Sequence, residues 1–297
     1  MAFGILILLA CIVSVSGCVS YQSPSAEASS GIERYELEAL IEDIVYTEPG
    51  WPQALTADLY LPAAESPRPV VLMVHGGSWG GRDRSDMDEI SRTLVRHGYA
   101  VFNLSYRFAP RYRYPAQLQD LQQAMKWLVR YSDVYEFDLE RINAWGYSAG
   151  AHLAALLASY NFSQDSLLVE DHDLPSIRAV VSGGIPSDLR KYEDGPILQR
   201  FIGGSRAEFP VTYADASPAY HISSNDPPVF LYHGKLDLLV TVDQSTDYYE
   251  ALLEQGVQAE LYLHAARGHV TMFLFGGDAE QKAIAFLDRK NLPASDG

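Results

Sequence analysis

The chain has 297 residues, 47% of them hydrophobic and 20% charged, which describes an ordinary folded protein and excludes a disordered tail or a fibrous repeat. Its length suits one large α/β domain or two small ones. Lysine and arginine number 22 against 38 aspartates and glutamates, and a formal charge of −16 repels phosphate backbones and anionic lipid, which speaks against a nucleic-acid partner.

At the start of the chain the first charged residue is Glu27. Phe3 to Val19 is apolar with small residues, too short for a membrane span and placed like an export signal. Val15-Ser16-Gly17-Cys18 resembles the cleavage box of bacterial lipoproteins, in which Cys18 becomes the lipidated first residue. Residues 1–17 are therefore read as a signal segment, and 18–34, rich in Ser, Ala, Pro and Gln, as a flexible tether. The folded domain is expected over 35–297. Met1-Ala2-Phe3-Gly4 lacks the basic residue of a signal, so a plain secretory signal or an uncleaved anchor stays open. The expected location is outside the cytoplasm: anchored to the outer membrane through Cys18, otherwise periplasmic or secreted. Cys11 and Cys18 are the two cysteines of the chain, which excludes disulfides, thiolate metal sites and cysteine nucleophiles from the body.

From about residue 35 strands alternate with helices, the signature of a mostly parallel sheet covered on both faces. Leu40–Thr47 and Leu55–Leu61 read as an opening pair of strands turned at Pro49-Gly50. Val70–Val74 is a continuous apolar run suited to a buried central strand. Met87–Arg96 reads as a helix and Tyr99–Leu104 as a strand. Pro115 opens a long helix in which Leu118, Leu121, Ala124, Met125, Leu128 and Val129 recur at helical spacing. Ile142–Tyr147 is a strand and Ala149–Ser159 a small-residue helix. Strands follow at Ile177–Ser182, Val229–Tyr232 and Glu260–Leu263. Thr241-x-x-Gln244 reads as a capping box opening a helix that Gly256 closes, and Thr271–Leu287 as one last helix. Between 183 and 218 the rhythm breaks into Gly, Pro, Tyr and charge, which is read as a cap or lid over the carboxyl edge of the sheet.

Gly146-Tyr147-Ser148-Ala149-Gly150 lies between a predicted strand and a predicted helix, the context of a nucleophile elbow that lifts a serine hydroxyl above the sheet. Upstream, His75-Gly76-Gly77-Ser78-Trp79 follows the central strand and matches the loop type whose backbone amides stabilise an oxyanion. Gly76, Gly77 and Ala149 are the candidate amide donors, with His75 a structural residue. An acid and a base should follow in the order Ser, Asp, His. Asp237 lies just past the strand Val229–Tyr232, and His269 follows the last strand; both loops are at carboxyl ends, where such sheets build sites. Trp79 and Tyr147 border the site, either shaping a substrate pocket or packing as ordinary core. His152 and His233 read as packing or supporting groups. No metal cluster and no phosphate loop is legible, so no cofactor is expected.

With these residues the chain resembles an α/β-hydrolase of the carboxylesterase and hormone-sensitive-lipase-like group, close to feruloyl and acetyl-xylan esterases. The likeness extends to Asp58-Leu59-Tyr60-Leu61-Pro62, Ser105-Tyr106-Arg107-Phe108-Ala109-Pro110, Tyr114-Pro115-Ala116 with Asp120, Gly150-Ala151-His152-Leu153-Ala154 and Ser217-Pro218. It implies a serine hydrolase acting without a cofactor on a small-molecule carboxylic ester, short-acyl or carbohydrate-linked. Two other readings stay open. One is a serine aminopeptidase or oligopeptidase on the same fold, for which Glu193 and Asp194 could anchor a peptide amine. The other is a non-catalytic, lipid-anchored binding module. The oligomeric state is not encoded in any motif.

Overall fold

The computed structural model of the chain describes residues 19–23, 35–159, 174–192 and 195–291. Their strands are β1 (Val19–Gln22), β2 (Leu37–Val45), β3 (Thr56–Pro62), β4 (Arg68–Val74), β5 (Ala100–Leu104), β6 (Phe137–Tyr147), β7 (Ala179–Gly183), β8 (Val229–Gly234) and β9 (Ala259–His264). They form one sheet in the order β1-β9-β8-β7-β6-β4-β5-β3-β2. The run from β9 to β5 is parallel, while β1 on β9, and β3 on both β5 and β2, are antiparallel. The helices are α1 (Asp88–Arg96), α2 (Ala116–Arg130), α3 (Ser132–Tyr135), α4 (Ala149–Ser159), α5 (Pro196–Ile202), α6 (Pro210–Asp215), α7 (Asp243–Glu254), α8 (His269–Leu274) and α9 (Gly277–Asn291).

The apolar run of β4 is explained by its position. Val70, Leu72 and Val74 join a buried cluster with Leu121 and Met125 of α2, Leu153 and Leu156 of α4 and Leu252 of α7. Val71 and Met73 join a second cluster with Leu94 of α1 and Ala283, Ile284 and Leu287 of α9. A strand covered on both faces has no polar positions to alternate with. The fold is therefore α/β, a mostly parallel sheet between helical layers.

Three expectations are corrected. The segment read as a flexible tether contains β1, which pairs with β9 from Val19↔His264 to Gln22↔Leu261. The unpaired edge of β9 supplies the partner, and Tyr21 adds a hydrogen bond to Glu260 and a ring beneath Lys282. Thr241 does not cap α7: the helix begins after Val242 without a side-chain cap. Gln244 is instead engaged with the cap, accepting from the Asp188 amide at 2.8 Å and donating to its carbonyl at 3.1 Å. The last helix is two, α8 and α9, broken at Phe275-Gly276; a Cβ on Gly276 would lie 2.6 Å from the Met272 carbonyl oxygen.

The pairing of β1 has a measurable consequence. Trimming the chain through Cys18 is expected to leave thermal stability unchanged. Trimming through residue 31 removes β1 and is expected to cost on the order of 2 kcal/mol, a few degrees in melting temperature. Calorimetry on both chains reads the difference, and equal melting temperatures would mean that β1 contributes nothing.

The segment 183–218 carries α5, α6 and 3-10 turns at Leu189–Lys191 and Pro218–Tyr220. Ser217 ties them, accepting from the Leu189 amide at 2.9 Å and donating to the Tyr213 carbonyl at 2.6 Å. Cys11, Cys18, Glu193 and Asp194 lie outside the described residues.

Candidate active site

At the junction of β6 and α4, Ser148 takes a left-handed backbone conformation with φ of 54°. For a residue with a side chain this costs roughly 1–2 kcal/mol, which the surroundings must offset. They do so by close approach. A Cβ on Gly150 would fall 2.1 Å from the Val74 carbonyl oxygen, so α4 begins directly against β4. The Ser148 amide is tied to the Gly183 carbonyl at 2.7 Å. The turn thus lifts a half-buried hydroxyl off the end of the sheet.

That hydroxyl donates to His269 Nε2 at 2.8 Å, and His269 Nδ1–H donates to Asp237 Oδ2 at 2.6 Å. His269 is the first residue of α8, and Asp237 lies in the loop after β8. The Asp237 carboxylate is fixed from both sides. Its Oδ1 accepts from the amides of Leu239 and Val240, each at 2.9 Å, while His233 Nε2 lies 3.2 Å from Oδ2. Burial alone would raise the pKa of Asp237. The hydrogen bonds from His233 and His269 outweigh it and hold the carboxyl well below the usual range, so it stays ionised. His233 accepts from Ser245 Oγ at Nδ1 (2.7 Å) and donates from Nε2 to the Val240 carbonyl (2.8 Å). Tyr147 is held by packing: its hydroxyl donates to the His269 carbonyl at 2.6 Å, and its ring packs 5.2 Å from the imidazole.

The loop after β4 stands beside the elbow. A Cβ on Gly76 would be 3.4 Å from Ser148 Cβ, and Gly77 has φ of 116°, which a side chain would resist. Ser78 and Trp79 share the left-handed region at φ of 52° and 56°. The segment Ser105–Pro110 buttresses this strained loop. Tyr106 donates from its hydroxyl to the His75 carbonyl at 3.0 Å and stacks on the His75 ring, and the Ala109 amide bonds the Trp79 carbonyl at 2.9 Å. Arg107 anchors the buttress to α2 through a buried 2.7 Å ion pair with Asp120. Burial raises the Asp120 carboxyl to about 6 despite that partner.

Trp79 Nε1–H donates to His152 Nδ1 at 3.1 Å, and His152 Nε2–H donates to the Ala216 carbonyl of the cap at 2.6 Å. Indole nitrogen only donates, so the imidazole must be neutral. Full burial agrees, lowering the pKa of His152 from 6.5 to about 4. The unfolded chain therefore binds a proton here that the folded chain refuses, and this part of the stability is complete above the unfolded value and lost as pH falls toward the folded one. Replacing His152 with Gln, which can also accept and donate, is expected to flatten the acid limb of the unfolding free energy by about one proton, roughly 1.4 kcal/mol per pH unit. Urea titrations at several pH values between about 4.5 and 6 measure it, and parallel limbs in the two proteins would contradict it.

Ser148, Ala149, Ser78 and Trp79 open into a chamber of about 190 Å³. Its far wall comes from the cap and the loop after β8: Pro186, Tyr192, Pro196, Ile197, Leu198 and Val240. No sequence motif singles out these wall residues. The apolar run Pro196-Ile197-Leu198 inside the polar segment was the available signal.

The fold and the serine elbow define an α/β-hydrolase. The sequence profile of the BD-FAE family matches residues 57–252, and the chain belongs to that family. Among curated proteins it is 30% identical over 203 residues to the probable carboxylic ester hydrolase LipM of Mycobacterium tuberculosis, covering 65% of this chain and 47% of that protein. It is 28% identical over 235 residues to isoprenylcysteine alpha-carbonyl methylesterase ICME of Arabidopsis thaliana, covering 73% and 54%. The chain thus spans about half the length of the curated relatives it matches. A truncated carbohydrate esterase from gut microbiota superposes with a TM-score of 0.77 at 21% identity over 88% of this chain and 99% of that one. An acetyl ester-xyloside bifunctional hydrolase from Caldicellulosiruptor lactoaceticus gives 0.67 at 22% identity over 88% and 98%.

Proposed function

We propose that the chain is a serine hydrolase of carboxylic esters, with Ser148 as nucleophile, His269 as general base and acid, and Asp237 as the carboxylate that orients the imidazole. The unbroken hydrogen-bond path from Ser148 Oγ through His269 to Asp237 carries this reading. His269 Nε2 takes the hydroxyl proton as Ser148 Oγ attacks the ester carbonyl, and the Ser148 backbone is already held in place for it. The negative charge that develops on oxygen is assigned to the amides of Gly76, Gly77 and Ala149. His269 then protonates the departing alkoxide, the alcohol leaves, and water attacks the acyl-enzyme by the same proton route.

The described lining of the chamber is largely hydrocarbon, which suits the apolar acyl or alcohol group of an ester. The names of the relatives, among them esterases and a carboxylic ester hydrolase, point the same way. The test is a panel of aryl acetates, longer acyl esters, acetylated sugars and aminoacyl anilides. Serine-dependent turnover of the esters is expected; turnover confined to the anilides would overturn the reading.

We further propose export with lipid attachment at Cys18. Two acyl chains hold a protein stably on a bilayer, whereas one holds it only marginally. No helix among the described residues is long and apolar enough to cross a membrane. Cys18→Ser is expected to move active protein from the membrane to the soluble fraction. If both forms sediment with membranes, the apolar segment before Cys18 is the anchor instead; if both are soluble, there is no lipid.

A further inference from the structure

Two short segments at the carboxyl edge of the sheet expose large apolar side chains. Leu236, Leu238 and Leu239 stand in the loop that carries Asp237; Val270, Leu274 and Phe275 lie on and just after α8, which His269 opens. All six are more than half exposed, and Leu238 is 94% exposed. The segments adjoin: the Leu236 amide donates to the Arg267 carbonyl at 2.9 Å, and a Cβ on Gly268 would lie 3.0 Å from the Leu236 carbonyl oxygen. The inner side of α8 is apolar as well, with Met272 buried and the Phe273 ring 4.9 Å from that of Tyr147. A helix apolar on both sides is normally covered on both, and a contiguous exposed apolar rim marks a contact surface.

Charge and position say what covers it. Residues 264–277 hold no carboxylate, and between 227 and 242 the sole one is Asp237, which is buried. In a chain of net charge −16 these two segments therefore expose hydrocarbon and no acid, with the exposed Lys235 beside them. The chain also enters the fold at this edge: Val19 pairs with His264, the last residue of β9, and no charged side chain precedes it. Leu239 lines the chamber beside Ser148 as well as the rim, so the rim continues into the chamber. We propose that this rim docks on a zwitterionic lipid surface, with the mouth of the chamber against the bilayer. The exposed leucines enter the boundary between headgroups and acyl chains, while the acidic remainder of the chain disfavours anionic lipid. Docking requires no acyl chain on Cys18. Its consequence for turnover rests on Ser148 as nucleophile: an apolar ester dissolved in the bilayer reaches the chamber across Leu239 without passing through water.

The test places an environment-sensitive fluorophore on Leu238→Cys in the full chain, with Cys11→Ser and Cys18→Ser removing the other thiols. Val134→Cys, exposed on α3 at the opposite, amino edge of the sheet, carries the same fluorophore as control. Phosphatidylcholine vesicles are expected to shift the emission at position 238 to the blue and to leave that at 134 in place. No shift at 238, or equal shifts at both positions, overturns the proposal. A blue shift at 238 that grows with protein concentration without vesicles also overturns it, and makes a second copy of the chain the occupant. A second measurement reads the mouth. Leu238→Ser combined with Leu274→Ser is expected to slow turnover of p-nitrophenyl palmitate carried in the vesicles by about tenfold or more, the cost of withdrawing leucines from hydrocarbon. Turnover of p-nitrophenyl acetate in solution should stay unchanged. Equal losses on the two esters, or none on either, contradict a mouth held against lipid. Absence of any Ser148-dependent hydrolysis, p-nitrophenyl acetate included, overturns the proposed function, while the fluorophore still reads docking by itself.

Discussion

Ser148→Ala is expected to fold as the wild type does and to lose ester turnover by on the order of 10⁶, the loss seen when a serine protease is deprived of its nucleophile. The fold should survive because, among the described residues, the hydroxyl bonds only His269, while the strained turn is held through the Ser148 amide and the contact of Gly150 with Val74, which alanine leaves intact. Residual rate then comes from binding and oxyanion stabilisation alone. Circular dichroism and a thermal melt establish folding, and initial rates on an aryl acetate read the loss. A folded variant keeping more than about a tenth of the rate would remove Ser148 from the mechanism.

Asp237→Asn is expected to lower kcat by on the order of 10⁴, with little change in KM, because it forces the wrong tautomer on the base. The surroundings dictate which way the new amide points. Oδ1 accepts from the Leu239 and Val240 amides, so the asparagine oxygen takes that position. Its NH₂ must then face His269 Nδ1, which becomes an acceptor, and the imidazole proton moves to Nε2. A protonated Nε2 cannot receive the Ser148 proton. The same NH₂ meets His233 Nε2–H, a second donor, which costs some stability as well. Steady-state kinetics on Asp237→Asn and Asp237→Ala separate the effects: a loss of less than about tenfold in the Asn variant would mean that Asp237 does not set the tautomer.

What was readable in advance followed from steric necessity. Glycines at 146 and 150 around a serine announce a turn too tight for side chains, and the chain order Ser148, Asp237, His269 follows from where the strands end. The structure places those three within hydrogen-bond reach, and the continuous apolar run of β4 marks a strand covered on both faces. What could not be read depends on partners distant in sequence. Val19-Ser20-Tyr21-Gln22 has no apolar run; it becomes a strand because β9 offers a free edge. Thr241-x-x-Gln244 has the letters of a capping box, yet Gln244 is engaged with Asp188 across the cap. Tyr147 sits inside the serine motif, where the sequence leaves pocket lining and core packing both open; its hydroxyl reaches the His269 carbonyl, 122 residues away. Nor does local patterning announce that Ser78 and Trp79 are left-handed, since the cause is the Ser105–Pro110 segment packed behind them.

The docking of β1 on β9 also sets how much slack an attachment at Cys18 would give. Cys18 directly precedes the first strand residue, Val19, and one peptide step is about 3.8 Å. A leash of 16 flexible residues would let the body roam over tens of ångströms, on the order of 5–6 Å times the square root of the residue count. With β1 fastened, the sheet edge itself would become the mooring of a chain attached there. The body would rest with β1 and β9 beside the bilayer in a restricted orientation, and because His269 follows β9 by only a few residues, the mouth of the site would keep a nearly constant height above the lipid.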